Sequence, residues 1–374
     1  MIVATVKEKN EFENRVSITP ETCKSYIKAG LDVIIEKNAG YNASFLDSVY
    51  KESGANVLDR EQVLQKADIL VSVSTIIENS DLEILKNKAV IVGGFNPYEN
   101  VDKIKKIIGK NLSIISLDFL PRISRAQSMD ILSSQANLAG YKAVIEASSI
   151  FKKALPMMMT AAGTIIPAKC LILGAGVAGL QAIATAKRLG CVVSAFDVRP
   201  EVEEQVNSLG AKFVKVEDGE NTKETQTVYA KEMSEDYKKK QLKAIHDVAV
   251  NMDIIISTAL IPGKQAPLLI ESNTISQMKS GSILIDLASS SGGNIEGSKI
   301  GEKVSINDCV VYAPRNLPSL IAYDASLLFS KNVFNFTSNF ITENKTFDIE
   351  AKDELLLKTI LVKNGNKTEN FYDG

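Results

Sequence analysis

A chain of 374 residues exceeds what one ordinary core accommodates and points to two domains. With 45% hydrophobic and 24% charged residues the composition is that of a globular protein, and a formal net charge of −2 argues against nucleic acid as a partner. The four cysteines are scattered and His246 is the only histidine, which argues against a structural zinc site and fits reduced thiols in a cytoplasmic compartment.

The N-terminal MIVATVKEKNEF lacks the long apolar region of a secretion signal. From Ile2 to about Phe119 the runs IVATV, LDVIIE, DILVSVS, AVIVGGF and SIISLDF alternate with helical stretches, the βαβα pattern of a parallel sheet covered on both faces. Thr19 is placed to cap a helix that Pro20 opens and Gly30 ends. PRISRAQSMDILSSQANLAG follows, setting Arg122, Arg125, Gln127, Asp130, Ser133, Ser134, Gln135 and Asn137 between a strand-like run and an alanine-rich helix. Its residue types suit either a solvated linker or a site for a polar, planar ligand. The helix beginning LAGYKAVIEA is expected to run to about Pro156 and to connect the domains.

A second alternating set comprises KCLILG, a helix from about Val177 to Leu189, CVVSAFD, AKFVKV, DIIIST, SILIDLA and VVYAP. It predicts another doubly wound sheet, with the helix-poor, charged insertion EDGENTKETQTVYAKEMSEDYKKKQ between its third and fourth strands. CLILGAGVAGLQAIATA has 17 residues, short of the roughly 20 that span a membrane. Beyond Pro314, helical spacing is suited to return the chain to the first lobe, and no further hydrophobic span is expected in the tail. The expected fold is α/β, with two doubly wound, Rossmann-like lobes joined by long helices and a cleft between them. Residues 1–136 plus 322–374 form the first lobe and 137–321 the second.

Gly174-Ala175-Gly176-Val177-Ala178-Gly179 fits G-x-G-x-x-G between a strand and a helix, and Asp197 ends the next strand. That context reads as a dinucleotide site: the glycines permit the turn, the approach of a pyrophosphate and close packing, while the helix N-terminus supplies donors. The backbone at Ala175 and Val177 belongs to the turn, and Asp197-Val198-Arg199 would lie at the adenosine ribose. A carboxylate at Asp197 accepts ribose hydroxyls and repels a 2′-phosphate, favouring NAD(H) over NADP(H). Arg199 is open to two readings, a phosphate partner or, the favoured one, a surface cation beside the adenine.

These segments together resemble the NAD(H)-binding first domain of proton-translocating nicotinamide nucleotide transhydrogenase. RVSITPE, the stretch from Pro121 through YKAVIEA, LILGAGVAGLQAIATAKRLG, FDVRPEV, YAKEM, TALIPGK and GSILIDLA carry the resemblance over most of the chain. It implies that Arg122, Gln127 and Asp130 surround the nicotinamide with Ser133 close behind, Arg122 and Asp130 able to bond each other and the carboxamide, and Gln127 able to reach toward a second nucleotide. It also implies that the charged insertion is a lid, with Tyr229 folding over NAD(H) and Gln241 and Leu260 near it. Two positions depart from the family pattern: Thr227-Val228 stands where glycines are usual, and Leu320 where arginine is common.

The implied activity is that of an NAD(P) transhydrogenase of the proton-translocating, Re/Si-specific type: direct hydride transfer between NADH and NADP⁺. The resemblance places NADP(H) on a partner domain and proton movement in a membrane-spanning partner, with this chain expected as a homodimer. A cytoplasmic location at the inner (plasma) membrane, held through those partners, follows from the resemblance. Met1 and the polar tail favour a separate subunit over a piece of a longer chain. An alanine dehydrogenase shares RVSITP with Arg15. Its lysine and histidine, however, are replaced by Val71-Ser72-Val73-Ser74 and Ile115-Ser116-Leu117-Asp118, leaving no proton donor. The other alternative is an NAD(H)-sensing subunit without turnover.

Overall fold

The computed structural model describes residues 1–74, 79–216, 235–261 and 263–372. Contacts divide the chain into two units, Met1–Gln135 with Pro318–Gly374, and Ala136–Leu317. The first begins with β1 (Ile2–Thr5), β2 (Asp32–Glu36), β3 (Asn56–Leu58), β4 (Ile69–Ser72), β5 (Val90–Gly93) and β6 (Ser113–Ser116), all mutually parallel. Their apolar runs are nearly continuous because both faces are covered. Val3, Val33, Ile69, Val71 and Val92 enter one core, and Ala4, Ile34, Leu70 and Ile91 enter the other.

Between β1 and β2, the helix Pro20–Lys28 starts as its sequence demands: Thr19 accepts from the Thr22 N–H, while Thr22 Oγ1 accepts from the Thr19 N–H. Gly30 lies just past its end at φ +84°.

The helix Ile131–Ile150 stops short of the expected Pro156. Phe151 and Leu155 are buried with Ala143, Ala147 and Ile183, and the chain leaves the helix to seat them. An unanticipated antiparallel hairpin follows, β7 (Met158–Thr160) and β8 (Gly163–Ile165), exposed throughout. The second sheet comprises β9 (Lys169–Leu173), β10 (Val192–Phe196), β11 (Lys212–Phe213), β12 (Ile254–Ser257), β13 (Ile283–Asp286), β14 (Lys303–Ile306) and β15 (Cys309–Tyr312). Its order is β11-β10-β9-β12-β13-β15-β14, parallel except for the antiparallel pair β14 and β15. The insertion is not helix-poor at its end, since a helix covers Glu235–Ala249.

The chain then returns to the first unit through the helix Ala322–Ser338, whose Phe329, Val333 and Phe336 enter that core. β16 (Ile360–Lys363) pairs antiparallel with β6, and β17 (Asn366–Lys367) closes the sheet edge. This returning strand is not anticipated by the sequence pattern. ELLLKTILVK changes from helix to strand at Ile360, so neither period is long enough to register. No helix among the described residues is long and apolar enough to cross a membrane.

Candidate functional site

The residues singled out by sequence fall into two groups, one in each unit. In the second unit β9 pairs with both β10 and β12, so the connections diverge at its carboxyl end, the switch point where open α/β sheets bind ligands. Gly174 takes φ +94° there, and a Cβ on it would lie 2.7 Å from Thr258 Oγ1. On Gly179 a Cβ would collide with the Gly174 carbonyl oxygen, so the third glycine is what lets the helix Val177–Arg188 meet the turn. On Gly176 it would meet nothing within 4 Å. Gly176 is also the helix N-cap and offers no side chain to the terminal N–H groups. Open space facing uncapped donors fits a dinucleotide pyrophosphate.

Asp197, at the end of β10, is nearly buried, with a side chain 6% exposed. It accepts the Ala175 N–H at 2.7 Å and the Arg199 N–H at 2.9 Å, and pairs with the Arg199 guanidinium through Nε at 3.0 Å and Nη2 at 3.1 Å. Burial pushes the carboxyl pKa up, but the Arg199 hydrogen bonds and the two backbone donors outweigh it and hold it below the ordinary value. Arg199 therefore turns back onto Asp197. Val198 packs against the core, while Val177 and Leu260 are exposed.

The loop bearing Leu260 is tied to the turn by residues that sequence reasoning missed. Thr258 Oγ1 donates toward the Leu173 and Gly174 carbonyls, at 3.3 and 3.2 Å. Asn294, fully buried, accepts the Ala259 N–H and donates to the Ala259 and Pro267 carbonyls. Asn294 ends the run Ser291-Gly292-Gly293-Asn294, whose composition signals a turn and none of these bonds. Gln241 is buried on the helix Glu235–Ala249, without a hydrogen bond to a described residue of the glycine turn. Tyr229 and YAKEM lie outside the described residues.

In the first unit the segment from Pro121 makes a 3-10 turn over Ser124–Met129, burying Ala126 and Met129 and exposing Arg122 and Gln127. The bond open to Arg122 and Asp130 is not formed. Asp130 precedes the helix Ile131–Ile150 and spends both oxygens on Ser133, accepting its N–H at 2.9 Å and its hydroxyl at 2.5 Å, an N-cap arrangement. Arg125 forks onto Asp353. Ser134 donates to Asn332 at 2.7 Å, and Asn332 donates to the Ser128 carbonyl at 2.8 Å, bolting the segment to the returning helix. Asn332 was invisible in sequence because it lies about 200 residues from its partners.

Arg15 is likewise engaged. Its Nε and Nη2 fork onto Glu13 at 2.7 and 2.6 Å, and Nη1 donates to Gln135 at 2.7 Å. Asp118 accepts the Phe95 and Asn96 N–H groups and the Ser116 hydroxyl, fixing the loop after β5. These groups brace loops, and none is a lysine or a histidine.

Comparison with known proteins matches residues 4–139 to the alanine dehydrogenase/PNT N-terminal domain and residues 143–370 to the C-terminal domain. An NAD(P) transhydrogenase subunit alpha protein of Rickettsia prowazekii (strain Madrid E) is 45% identical over 369 residues, which cover 98% of this chain and 95% of the relative. This chain belongs to the alanine dehydrogenase/PNT family, with the transhydrogenase alpha subunits. The crystal structure of transhydrogenase from Sinorhizobium meliloti superposes with a TM-score of 0.85 at 38% identity, covering 98% of each chain. L-alanine dehydrogenase superposes with a TM-score of 0.79 at 21% identity, covering 98% of this chain and 96% of its own, and shares the fold.

Proposed function

We propose that this chain is the NAD(H)-binding component of a proton-translocating transhydrogenase, and that it presents NADH for direct hydride transfer to NADP⁺ held by a partner domain. The observation that carries the reading is the glycine turn at the switch point, open at Gly176 and flanked by Asp197. The near-full-length likeness to a transhydrogenase alpha subunit supports it. Bound there, NADH supplies a hydride from its nicotinamide ring. Gly174, Ala175, Gly176, Val177 and Gly179 receive the pyrophosphate in this reading, with Asp197, Val198 and Arg199 at the adenosine.

Arg122 and Gln127, exposed on a braced segment, are free to hold the nicotinamide and to meet the partner's nucleotide. Asp130 and Ser133 fix the helix start behind them. Gln241, Leu260 and Tyr229 complete the proposed surroundings of the cofactor. Direct transfer moves no proton at this site, which suits a segment that contains no histidine. His246, elsewhere, is hydrogen-bonded to Thr274 at 2.9 Å.

The assembly we propose has a membrane-spanning, proton-conducting partner and an NADP(H)-binding partner, with this chain held at the cytoplasmic face of the inner membrane. A homodimer is part of it. Met157, Met158, Met159, Ile165 and Ile166 crowd an exposed two-stranded hairpin that alone would be marginal in water, and a second copy would cover them. The experiment is a fluorescence titration. NADH should bind well and NADPH poorly, with Asp197→Ala narrowing the gap by removing the charge that repels the added phosphate. Equal affinities in the parent chain would overturn the assignment.

A further inference from the structure

The Asp197 carboxylate offers about four lone-pair positions, and all of them are used. Oδ1 accepts the Arg199 N–H and Nε, while Oδ2 accepts the Ala175 N–H and Arg199 Nη2. Two of these donors are backbone groups fixed by the fold. The other two belong to one side chain, Arg199, and are spread one to each oxygen. A ribose presents its adjacent 2′- and 3′-hydroxyls as two donors to the same two oxygens. Guanidinium and diol cannot both be accommodated.

We propose that Arg199 is an intrachain stand-in for the adenosine ribose, so that NADH binds by exchanging two ribose hydroxyls for the two guanidinium donors on Asp197. The burial pattern supports the exchange. Asp197 is 6% exposed and Arg199 26% exposed, so the carboxylate is confined while the cation has a route to water. A buried carboxylate stripped of its cation is strongly disfavoured, and the stand-in prevents that until the diol arrives. Arg199 thereby lowers affinity for the correct nucleotide while stabilising the site. It also moderates discrimination, because its charge offsets the repulsion between Asp197 and a 2′-phosphate.

This inference rests on the NAD(H) reading, and the full chain separates the two. NADH and NADPH are titrated against the parent, Arg199→Ala, Asp197→Ala and the double variant. Arg199→Ala should tighten NADH about tenfold, the scale of a lost charge-assisted competitor. It should also widen the NADH to NADPH ratio and lower the thermal midpoint measured without nucleotide. In the Asp197→Ala background the same substitution should change NADH affinity by less than about twofold, since nothing remains to compete for. Arg199→Lys, which keeps the charge but loses the fork, should tighten NADH about threefold and serves if the alanine variant does not fold. Weaker or unchanged NADH binding on loss of the guanidinium, or an equal effect without Asp197, overturns the proposal alone. A parent chain that does not bind NADH overturns the dinucleotide reading and the proposal with it.

Discussion

The second and third glycines of the motif differ in what their missing Cβ does. On Gly179 the atom would collide with the Gly174 backbone, and no side-chain rotation relieves that. On Gly176 it would enter open space. Gly179→Ala should therefore destabilise the fold by roughly 3 kcal/mol. Gly176→Ala should leave stability within about 1 kcal/mol yet weaken NADH at least about tenfold, because the methyl would stand where we propose that the pyrophosphate approaches. Thermal unfolding and NADH titration of both variants check this; a Gly176→Ala chain that binds like the parent would remove the turn from the site. The turn made by the glycines and the position of Asp197 at the end of its strand were legible because each follows from spacing along one strand, turn and helix. The engagement of Arg199 was not, since two side chains two residues apart can point together or apart, and the sequence does not say which.

At the scale of elements, the segment from Pro121 is held by a helix that joins the same unit from the far end of the chain. Asn332 contributes two of those ties, to Ser134 and to the Ser128 carbonyl. Asn332→Ala should release the segment without touching the glycine turn, and a shift of ~1 Å in a reacting geometry costs on the order of 100-fold in rate. We expect at least a tenfold slower hydride exchange in the assembled complex, with NADH affinity within about twofold of the parent. Single-turnover exchange beside NADH titration distinguishes this from simple loss of cofactor binding, and an unaltered rate would mean the tie is incidental. Strands of four or five apolar residues were readable, except β16. β3, β14 and the hairpin of β7 and β8 were not, because they are short, lie at edges or stand outside both sheets, where burial imposes no pattern.

For the whole molecule, the doubly wound architecture followed from alternation of apolar runs with helical stretches, and the structure bears out an α/β fold with two Rossmann-like sheets. The return of the tail into the first sheet was hidden by its change of period at Ile360. The exposed hairpin bears on assembly. Met159→Lys together with Ile166→Lys should convert a dimer into monomers in sedimentation velocity while leaving NADH binding intact, and an unchanged dimer would place the interface elsewhere.

The claim that hydride passes directly between two nicotinamides is open to one decisive measurement. NADH carrying deuterium at the transferred ring position is mixed, in ordinary water, with this chain, an NADP(H)-binding transhydrogenase domain and NADP⁺, and the NADPH formed is analysed for label. Direct transfer predicts one deuterium in each NADPH molecule produced, with none released to solvent. Absence of transfer, or NADPH carrying solvent hydrogen at that position, would contradict it.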